Sequence, residues 1–207
     1  MSVKRKSAAS PDSEKKQKVE LSHVIYVLDR SGSMKQYGEE GYTSIQSAIE
    51  ELPKSKGETC LLSAFAFDDK HEEIVKGVKA KDYVLPEDSV KPRGLTALRD
   101  AISKALEYAG SLPAEHTKYM IIFTDGDDNQ STVSKESLKT MLKDCDVDIT
   151  WLAAGEAEIL AATELGLDEK DVLKVGTSGQ NMRDSMRFSS QKLSTGFTQT
   201  QRQTSVR

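Results

Sequence analysis

The sequence contains few cysteines and histidines and no long hydrophobic run. Of its 207 residues only two are cysteine, Cys60 and Cys145, and three are histidine. No stretch approaches the roughly 18–20 apolar residues that a membrane helix needs, so we expect no membrane span. Neither the cysteines nor the histidines have the spacing of zinc ligands, and both cysteines are expected to be free thiols. These absences exclude zinc-finger, disulfide-rich and transmembrane classes.

An apolar secretion signal is also missing from the start of the sequence. Residues 1–20 are polar and carry six basic side chains against three acidic ones. Because secretory signals need a central apolar stretch, we expect an intracellular protein. The clusters Lys4-Arg5-Lys6 and Lys15-Lys16-Gln17-Lys18 are typical of a bipartite nuclear localisation signal, which favours the nucleus over the cytoplasm. The open alternative is a solvated, disordered tail without an address.

Basic residues are in the minority outside this tail. The chain has a formal charge of −4, and residues 21–207 hold 23 basic and 30 acidic side chains. Affinity for nucleic acid depends on neutralising phosphates, so the folded part is not expected to bind nucleic acid directly. The glycine-rich loops that hold nucleotide phosphates, Gly-x-x-x-x-Gly-Lys and Gly-x-Gly-x-x-Gly, are missing from the sequence as well.

Apolar runs alternate with amphipathic helical patterns along residues 21–195. The alternation predicts one α/β domain with a Rossmann-like, doubly wound, mostly parallel sheet and helices on both faces. The more polar residues 71–75 follow a tight turn and predict one short antiparallel edge strand. Residues 43–52 have helical spacing, and Pro53 is expected to end that helix. Residues 1–20 and 196–207 are expected to be disordered tails.

Polar side chains stand at the carboxyl ends of two predicted buried strands. The first strand runs into Asp29-Arg30-Ser31-Gly32-Ser33, and a later one ends in Thr124-Asp125-Gly126. Between them, Gly94-Leu95-Thr96 precedes a helical pattern. Open α/β sheets bind ligands at this edge, and one ion can touch both strand ends only if the strands are neighbours. Oxygen donors of this kind suit Mg²⁺, with Mn²⁺ or Ca²⁺ as further candidates.

In this order and at these spacings, the three segments resemble the metal-ion-dependent adhesion site (MIDAS) of the von Willebrand factor A (vWA) domain family. The resemblance covers residues 21–195, and an intracellular member of the family is expected. It implies that Mg²⁺ is held by Asp29, Ser31, Ser33, Thr96 and Asp125. In that family the hydroxyls are direct or switchable ligands, and the carboxylates act largely through water. A Glu or Asp carboxylate of a partner protein then completes the coordination of the metal.

Further residues are expected to surround this site. Arg30, Met34, Lys35, Tyr37 and Leu95 are expected to ring it and to supply specificity. Asp127 and Asp128 are expected to be solvated or capping charges that raise the local negative potential and strengthen metal binding.

Two other functions remain open. An Asp beside Mg²⁺ is also the nucleophile of phosphatases that resemble haloacid dehalogenases. Those enzymes need a second carboxylate two residues later, where this chain has Ser31, a poor proton-transfer group. The other alternative is a metal-independent scaffold subunit of an intracellular complex. We expect a non-enzymatic, metal-dependent protein interaction module.

Overall fold

The residues that the structure describes form six strands and five α-helices, with an α-helix between most successive strands. The structure is a computed structural model, and it describes residues 21–56, 59–125, 128–153, 155–175 and 179–192. The strands are β1 Ser22–Asp29, β2 Leu61–Phe67, β3 His71–Lys79, β4 Thr117–Thr124, β5 Asp148–Ala153 and β6 Val172–Lys174. The helices are α1 Gly38–Lys56, α2 Leu98–Ser111, α3 Lys135–Asp144, α4 Glu156–Glu164 and α5 Gly179–Lys192. The predicted tails 1–20 and 196–207, with the basic clusters, and Asp127 lie outside the described residues.

The strands form one mixed sheet in the order β3-β2-β1-β4-β5-β6. Strand β1 pairs in parallel with β2 and β4, and only the β2–β3 pair among the described strands is antiparallel. The chain builds the sheet outward from β1 in one direction and then from β4 in the other. The predicted Rossmann-like fold is confirmed, and the switch point of the sheet lies between β1 and β4.

Each face of the sheet is covered by its own set of helices. Alternate residues of β1 point to opposite faces, so that Val24, Tyr26 and Leu28 pack with α1 and α5. Ile25 and Val27 pack with α2, α3 and α4 on the other face. Helices therefore cover both faces of the sheet, and the loops at its carboxyl edge remain available to form a site.

Two elements differ from their predicted bounds. Helix α1 continues through Pro53 to Lys56, so the prediction that Pro53 ends the helix is wrong. A proline removes one backbone hydrogen bond, and the packing of the fully buried Ile49 and Leu52 against the sheet offsets that loss. Strand β3 extends to Lys79, four residues beyond the predicted segment. Its antiparallel pairing with β2 is as predicted.

The described residues contain neither a membrane-spanning helix nor a disulfide between the two cysteines. No helix within the described ranges is long and apolar enough to cross a membrane. Cys60 is buried at the start of β2 and Cys145 lies half-buried after α3, and no disulfide joins them.

A buried histidine makes the stability of the fold depend on pH. His23 is 1% exposed, and its Nε2 lies 2.8 Å from the hydroxyl of Ser63. Burial, assisted by His116, lowers the pKa of His23 to about 4. Between pH 6.5 and 4 the unfolded chain therefore binds more protons than the folded one, and stability falls as pH falls through this window.

We expect the free energy of unfolding to drop by about 2 kcal/mol between pH 7 and pH 5 because of His23 alone. Denaturant unfolding at the two pH values measures it. The variant His23→Gln should remove this share of the pH dependence, while His71, whose pKa burial also lowers to about 4, keeps its own share. An unchanged slope in this variant would assign the pH dependence to other groups.

Candidate metal centre

Asp29 is the buried carboxylate of the candidate centre. It is the last residue of β1 and only 2% exposed. Its Oδ1 accepts a hydrogen bond of 2.7 Å from the backbone N–H of Ser31, and its Oδ2 accepts one of 2.6 Å from the hydroxyl of Thr124. Burial, with a smaller contribution from Asp125, raises the pKa of Asp29 to about 6, although the hydrogen bonds from Thr124 and Ser31 lower it. These hydrogen bonds fix the direction of the carboxylate.

A chain of hydrogen-bonded groups leads from Asp29, through Ser31 and Ser33, to the surface. The hydroxyls of Ser31 and Ser33 are 3.0 Å apart, and Ser33 donates a hydrogen bond of 2.8 Å to Oδ1 of Asp125. The side chain of Gln36 donates to Oδ2 of the same carboxylate. Ser31 is buried whereas Ser33 is exposed, so the chain opens to solvent at its outer end. Four of the five predicted residues are therefore directly connected.

Backbone hydrogen bonds of Thr96 hold it at the same edge of the sheet. Its N–H donates to the side-chain oxygen of Asn129 at 3.0 Å, and its carbonyl accepts from the Asn129 N–H at 3.0 Å. The neighbouring Gly94 accepts a 3.2 Å hydrogen bond from the N–H of Gly32, which lies between the two serines. The Thr96 loop thus touches both the serine loop and the segment after β4.

An ion cluster around the buried Arg30 and Asp68 holds the same loop in place. Arg30 is 2% exposed, and its guanidinium donates to Asp68 at 3.0 Å, to Glu72 at 2.5 Å and to the carbonyl of Ser89 at 3.0 Å. Arg93 also donates to Asp68, at 2.7 Å, from the exposed side. Burial raises the pKa of the Asp68 carboxyl, but hydrogen bonds from Arg93, Lys70 and Arg30 outweigh it and leave that pKa below its ordinary value.

Gly94 is the tightest point of this loop. Its φ is +66°, and a Cβ at this position would lie 2.5 Å from Oδ1 of Asp69 and 3.2 Å from Cβ of Asp68. We expect Gly94→Ala to lower the free energy of unfolding by about 2 kcal/mol, because it adds both strain and a clash. Thermal or denaturant unfolding measures it.

Gly110 supplies the matched control. It lies inside α2, and a Cβ there would meet nothing within 4 Å. Gly110→Ala should stabilise the helix by about 0.5–1 kcal/mol. Equal effects of the two substitutions would contradict the tight packing of Gly94 on Asp68 and Asp69.

The expected ring of residues is only partly at the surface. Lys35 is exposed, and the side chain of Leu95 is 50% exposed beside Thr96. Arg30 is instead buried in the ion cluster, and Met34 and Tyr37 are 6% and 5% exposed beneath the serine loop. These three residues therefore do not present their side chains at the surface, because the turn after β1 folds the side chains inward.

Several residues that position the predicted ligands have no signal in the motifs themselves. They are Thr124, Gln36, Asn129 and the acidic partner Asp68. Asp68 and Asp69 directly follow the buried strand β2 and could have indicated an ion cluster. Two carboxylates at a strand end next to Asp29 need a nearby cation to balance their charge. Asp128 caps neighbouring backbone, since it accepts from the N–H groups of Arg99 and Ser131, as predicted for a capping charge.

The donor atoms suit a hard divalent cation. In an octahedron with metal–oxygen bonds of about 2.1 Å, neighbouring ligand oxygens are about 3.0 Å apart. The Ser31–Ser33 and Ser33–Asp125 oxygen distances of 3.0 and 2.8 Å match such edges. Among the described residues, no three His, Cys, Asp or Glu side chains are grouped to hold a metal, so here hydroxyls must complete the ligand set. Two carboxylates with neutral hydroxyls balance one divalent charge.

The fold is that of von Willebrand factor A-type domains. The sequence matches no protein-family model and no curated protein. The likeness is found among solved structures, at sequence identities that show the fold alone. One of them is the vWF domain of the type V pili tip protein Mfa5 from Porphyromonas gingivalis, with a TM-score of 0.70 and 11% identity. The match covers 87% of this chain and 97% of that domain.

Two further solved structures are parts of longer proteins. The pilus adhesin SpaC from Lactobacillus rhamnosus GG has a TM-score of 0.69 and 13% identity, with 86% of this chain and 31% of SpaC covered. Proximal thread matrix protein 1 from the mussel byssus, with a zinc-occupied MIDAS motif, has a TM-score of 0.58 and 19% identity. That match covers 82% of this chain and 46% of the byssus protein. The chain thus spans less than half the length of these two proteins.

Proposed function

We propose that the protein is a divalent-metal-dependent protein interaction module, not an enzyme, that binds an acidic residue of its partner. The ion is Mg²⁺, held in a complete MIDAS by Asp29, Ser31, Ser33, Thr96 and Asp125. The observation that carries this proposal is the hydrogen-bonded series Asp29–Ser31–Ser33–Asp125, which runs from a buried carboxylate to the exposed Ser33 hydroxyl at the switch point of the sheet. Open α/β sheets bind their ligands at this point.

The charges at this edge explain why recognition would depend on the metal. Asp29 and Asp125 lie within one hydrogen-bonded chain, and Asp128 caps the helix that follows Thr96. Without a cation, an incoming carboxylate is repelled by these charges. With a divalent cation the two ligand carboxylates are neutralised, and the exposed side of the ion accepts a partner carboxylate as a further ligand.

The place of action belongs to the same proposal. We propose an intracellular protein that acts in the nucleus, supported by the basic clusters within residues 1–20. The fold neighbours contribute nothing to this point, since they share only the architecture.

A pair of short peptides tests the recognition step. We expect acetyl-Gly-Glu-Gly-Gly-Gly-amide to bind the full chain in Mg²⁺, by NMR titration, and its Gln counterpart to bind at least about tenfold more weakly, since it lacks the charge. Excess EDTA should abolish binding of the Glu peptide. Equal binding of both peptides, or binding that survives EDTA, would instead favour a metal-independent scaffold.

A further inference from the structure

The two oxygens of the Asp125 carboxylate accept hydrogen bonds from two side chains of one short helix. Ser33 donates to Oδ1 at 2.8 Å, and the amide nitrogen Nε2 of Gln36 donates to Oδ2. Both donors belong to the 3₁₀ helix Gly32–Tyr37. Since a 3₁₀ helix has about three residues per turn, residues three apart lie one above the other on the same face. The spacing Ser-x-x-Gln therefore places both donors opposite a single carboxylate.

The two hydrogen bonds differ in what they leave available to a cation. A hydroxyl has one proton and two lone pairs, and Ser33 uses its proton on Asp125, so its lone pairs remain available to a metal. The amide nitrogen of Gln36 acts only as a donor, and its N–H group places positive charge beside Oδ2. Oδ1 of Asp125 thus adjoins a predicted ligand, whereas Oδ2 is occupied by the protein itself.

This arrangement distinguishes between two kinds of divalent cation. Mg²⁺ demands near-octahedral coordination, for which one oxygen of a carboxylate, or a water held by it, is sufficient. Ca²⁺ takes about six to eight oxygens and readily binds both oxygens of one carboxylate. For Asp125 to bind in that bidentate way, its Oδ2 must lose the hydrogen bond from Gln36. A hydrogen bond to a charged group is worth about tenfold in an equilibrium constant, so Gln36 opposes Ca²⁺ more than Mg²⁺.

We propose that Gln36 sets the cation preference of the centre. It holds Oδ2 of Asp125, so that this carboxylate offers a single oxygen and the centre binds Mg²⁺ or Mn²⁺ in preference to Ca²⁺. The inference rests on the proposed function and deepens it, since it names the residue that selects the ion. Gln36 is a positioning residue, because it acts on the metal through Asp125. Its side chain is exposed, so a substitution there leaves the core intact.

The substitution Gln36→Met tests the proposal, because methionine has a similar length and no N–H group in its side chain. Isothermal titration of Mg²⁺ and of Ca²⁺ into the metal-free full chain measures both dissociation constants. The wild type should bind Mg²⁺ more tightly than Ca²⁺. The ratio of the Ca²⁺ to the Mg²⁺ dissociation constant should fall at least about fivefold in Gln36→Met, since Ca²⁺ no longer has to displace a hydrogen bond.

Gln130→Met is the matched control. Gln130 is an exposed glutamine at the same edge of the sheet, and its backbone N–H donates to the carbonyl of Thr96. The substitution keeps that backbone bond, so it should leave the ratio of the two dissociation constants unchanged. Thermal unfolding establishes that both variants are folded.

A second measurement detects the Gln36 contact without any metal. In NMR spectra of the metal-free chain, the side-chain amide protons of Gln36 should resonate at different positions in the wild type and in Asp125→Ala, because that variant removes their acceptor. Identical signals in the two proteins would overturn the proposal, since Gln36 would then not hold Oδ2 of Asp125.

The outcomes separate this inference from the proposed function. If Gln36→Met weakens Mg²⁺ and Ca²⁺ by the same factor, or leaves both affinities unchanged, Gln36 does not select the ion and the inference is overturned while the metal centre stands. A wild type that binds Ca²⁺ as tightly as Mg²⁺ would overturn it as well. If the wild type binds neither cation, the proposed function fails and this inference fails with it.

Discussion

Replacing Asp125 by Ala is expected to weaken Mg²⁺ and Mn²⁺ binding by about 100-fold or more, as loss of a ligand or of its water-bridging carboxylate does in metal sites. Asp125 is half-buried and accepts hydrogen bonds from the exposed Ser33 and Gln36, so the metal-free fold should keep its stability. Isothermal titration of each metal into metal-free protein measures the affinity, and unfolding without metal measures the stability.

Asp88 offers the matched control for that substitution. Its side chain is 93% exposed in the segment Glu87–Val90, and Asp88→Ala should leave metal affinity unchanged. In the wild type, metal at 100 times its dissociation constant should raise the free energy of unfolding by about 2.7 kcal/mol, and this gain should vanish in Asp125→Ala. Wild-type affinity in the Asp125 variant would remove this carboxylate from the ligand set.

Arg30→Met is expected to have the largest effect on stability, a loss of about 3 kcal/mol in the free energy of unfolding. The substitution leaves the buried Asp68 with Arg93 as its remaining cationic partner and leaves the carbonyl of Ser89 without its donor. Breaking one side of a buried ion cluster costs several kcal/mol, since the other charge stays desolvated. Denaturant unfolding measures the loss.

The same variant should also weaken Mg²⁺ binding by about tenfold, because the Thr96 loop is held through Asp68 and Arg93. The control is Arg187→Met, where a 50% exposed side chain lies 3.9 Å from Glu51. A long ion pair of this kind with an exposed arginine contributes under about 1 kcal/mol. If Arg30→Met is as stable as Arg187→Met, Arg93 alone satisfies Asp68, and the ion cluster does not anchor the loop.

The parts of the fold that sequence predicts well are those set by local pattern. Apolar runs located the strands that end at Asp29 and next to Asp125, and the need for one ion to reach both required β1 and β4 to be neighbours. The observed pairing of β1 with β4 confirms that adjacency. The order of the motifs was therefore enough to predict the fold and the position of the candidate site.

The parts that sequence did not predict depend on contacts between distant segments. Arg30 looks like a surface residue in a polar loop, and it is buried because Asp68 and Glu72 lie 38 and 42 residues away in sequence but adjacent in the fold. Thr124 and Asn129 likewise position ligands through bonds to Asp29 and Thr96. A helix that continues through Pro53 reflects the same rule, since tertiary packing outweighed a local signal.

A crystal of the full chain soaked in Mn²⁺, measured for anomalous scattering, is the decisive test of the proposed metal centre. We expect one strong anomalous peak at the carboxyl edge of the sheet, about 2.1–2.3 Å from the hydroxyl oxygens of Ser31 and Ser33, with Thr96 and the two carboxylates around it. A peak held by other residues, or none at this edge in crystals saturated with Mn²⁺, would contradict the assignment of these five residues as a metal site.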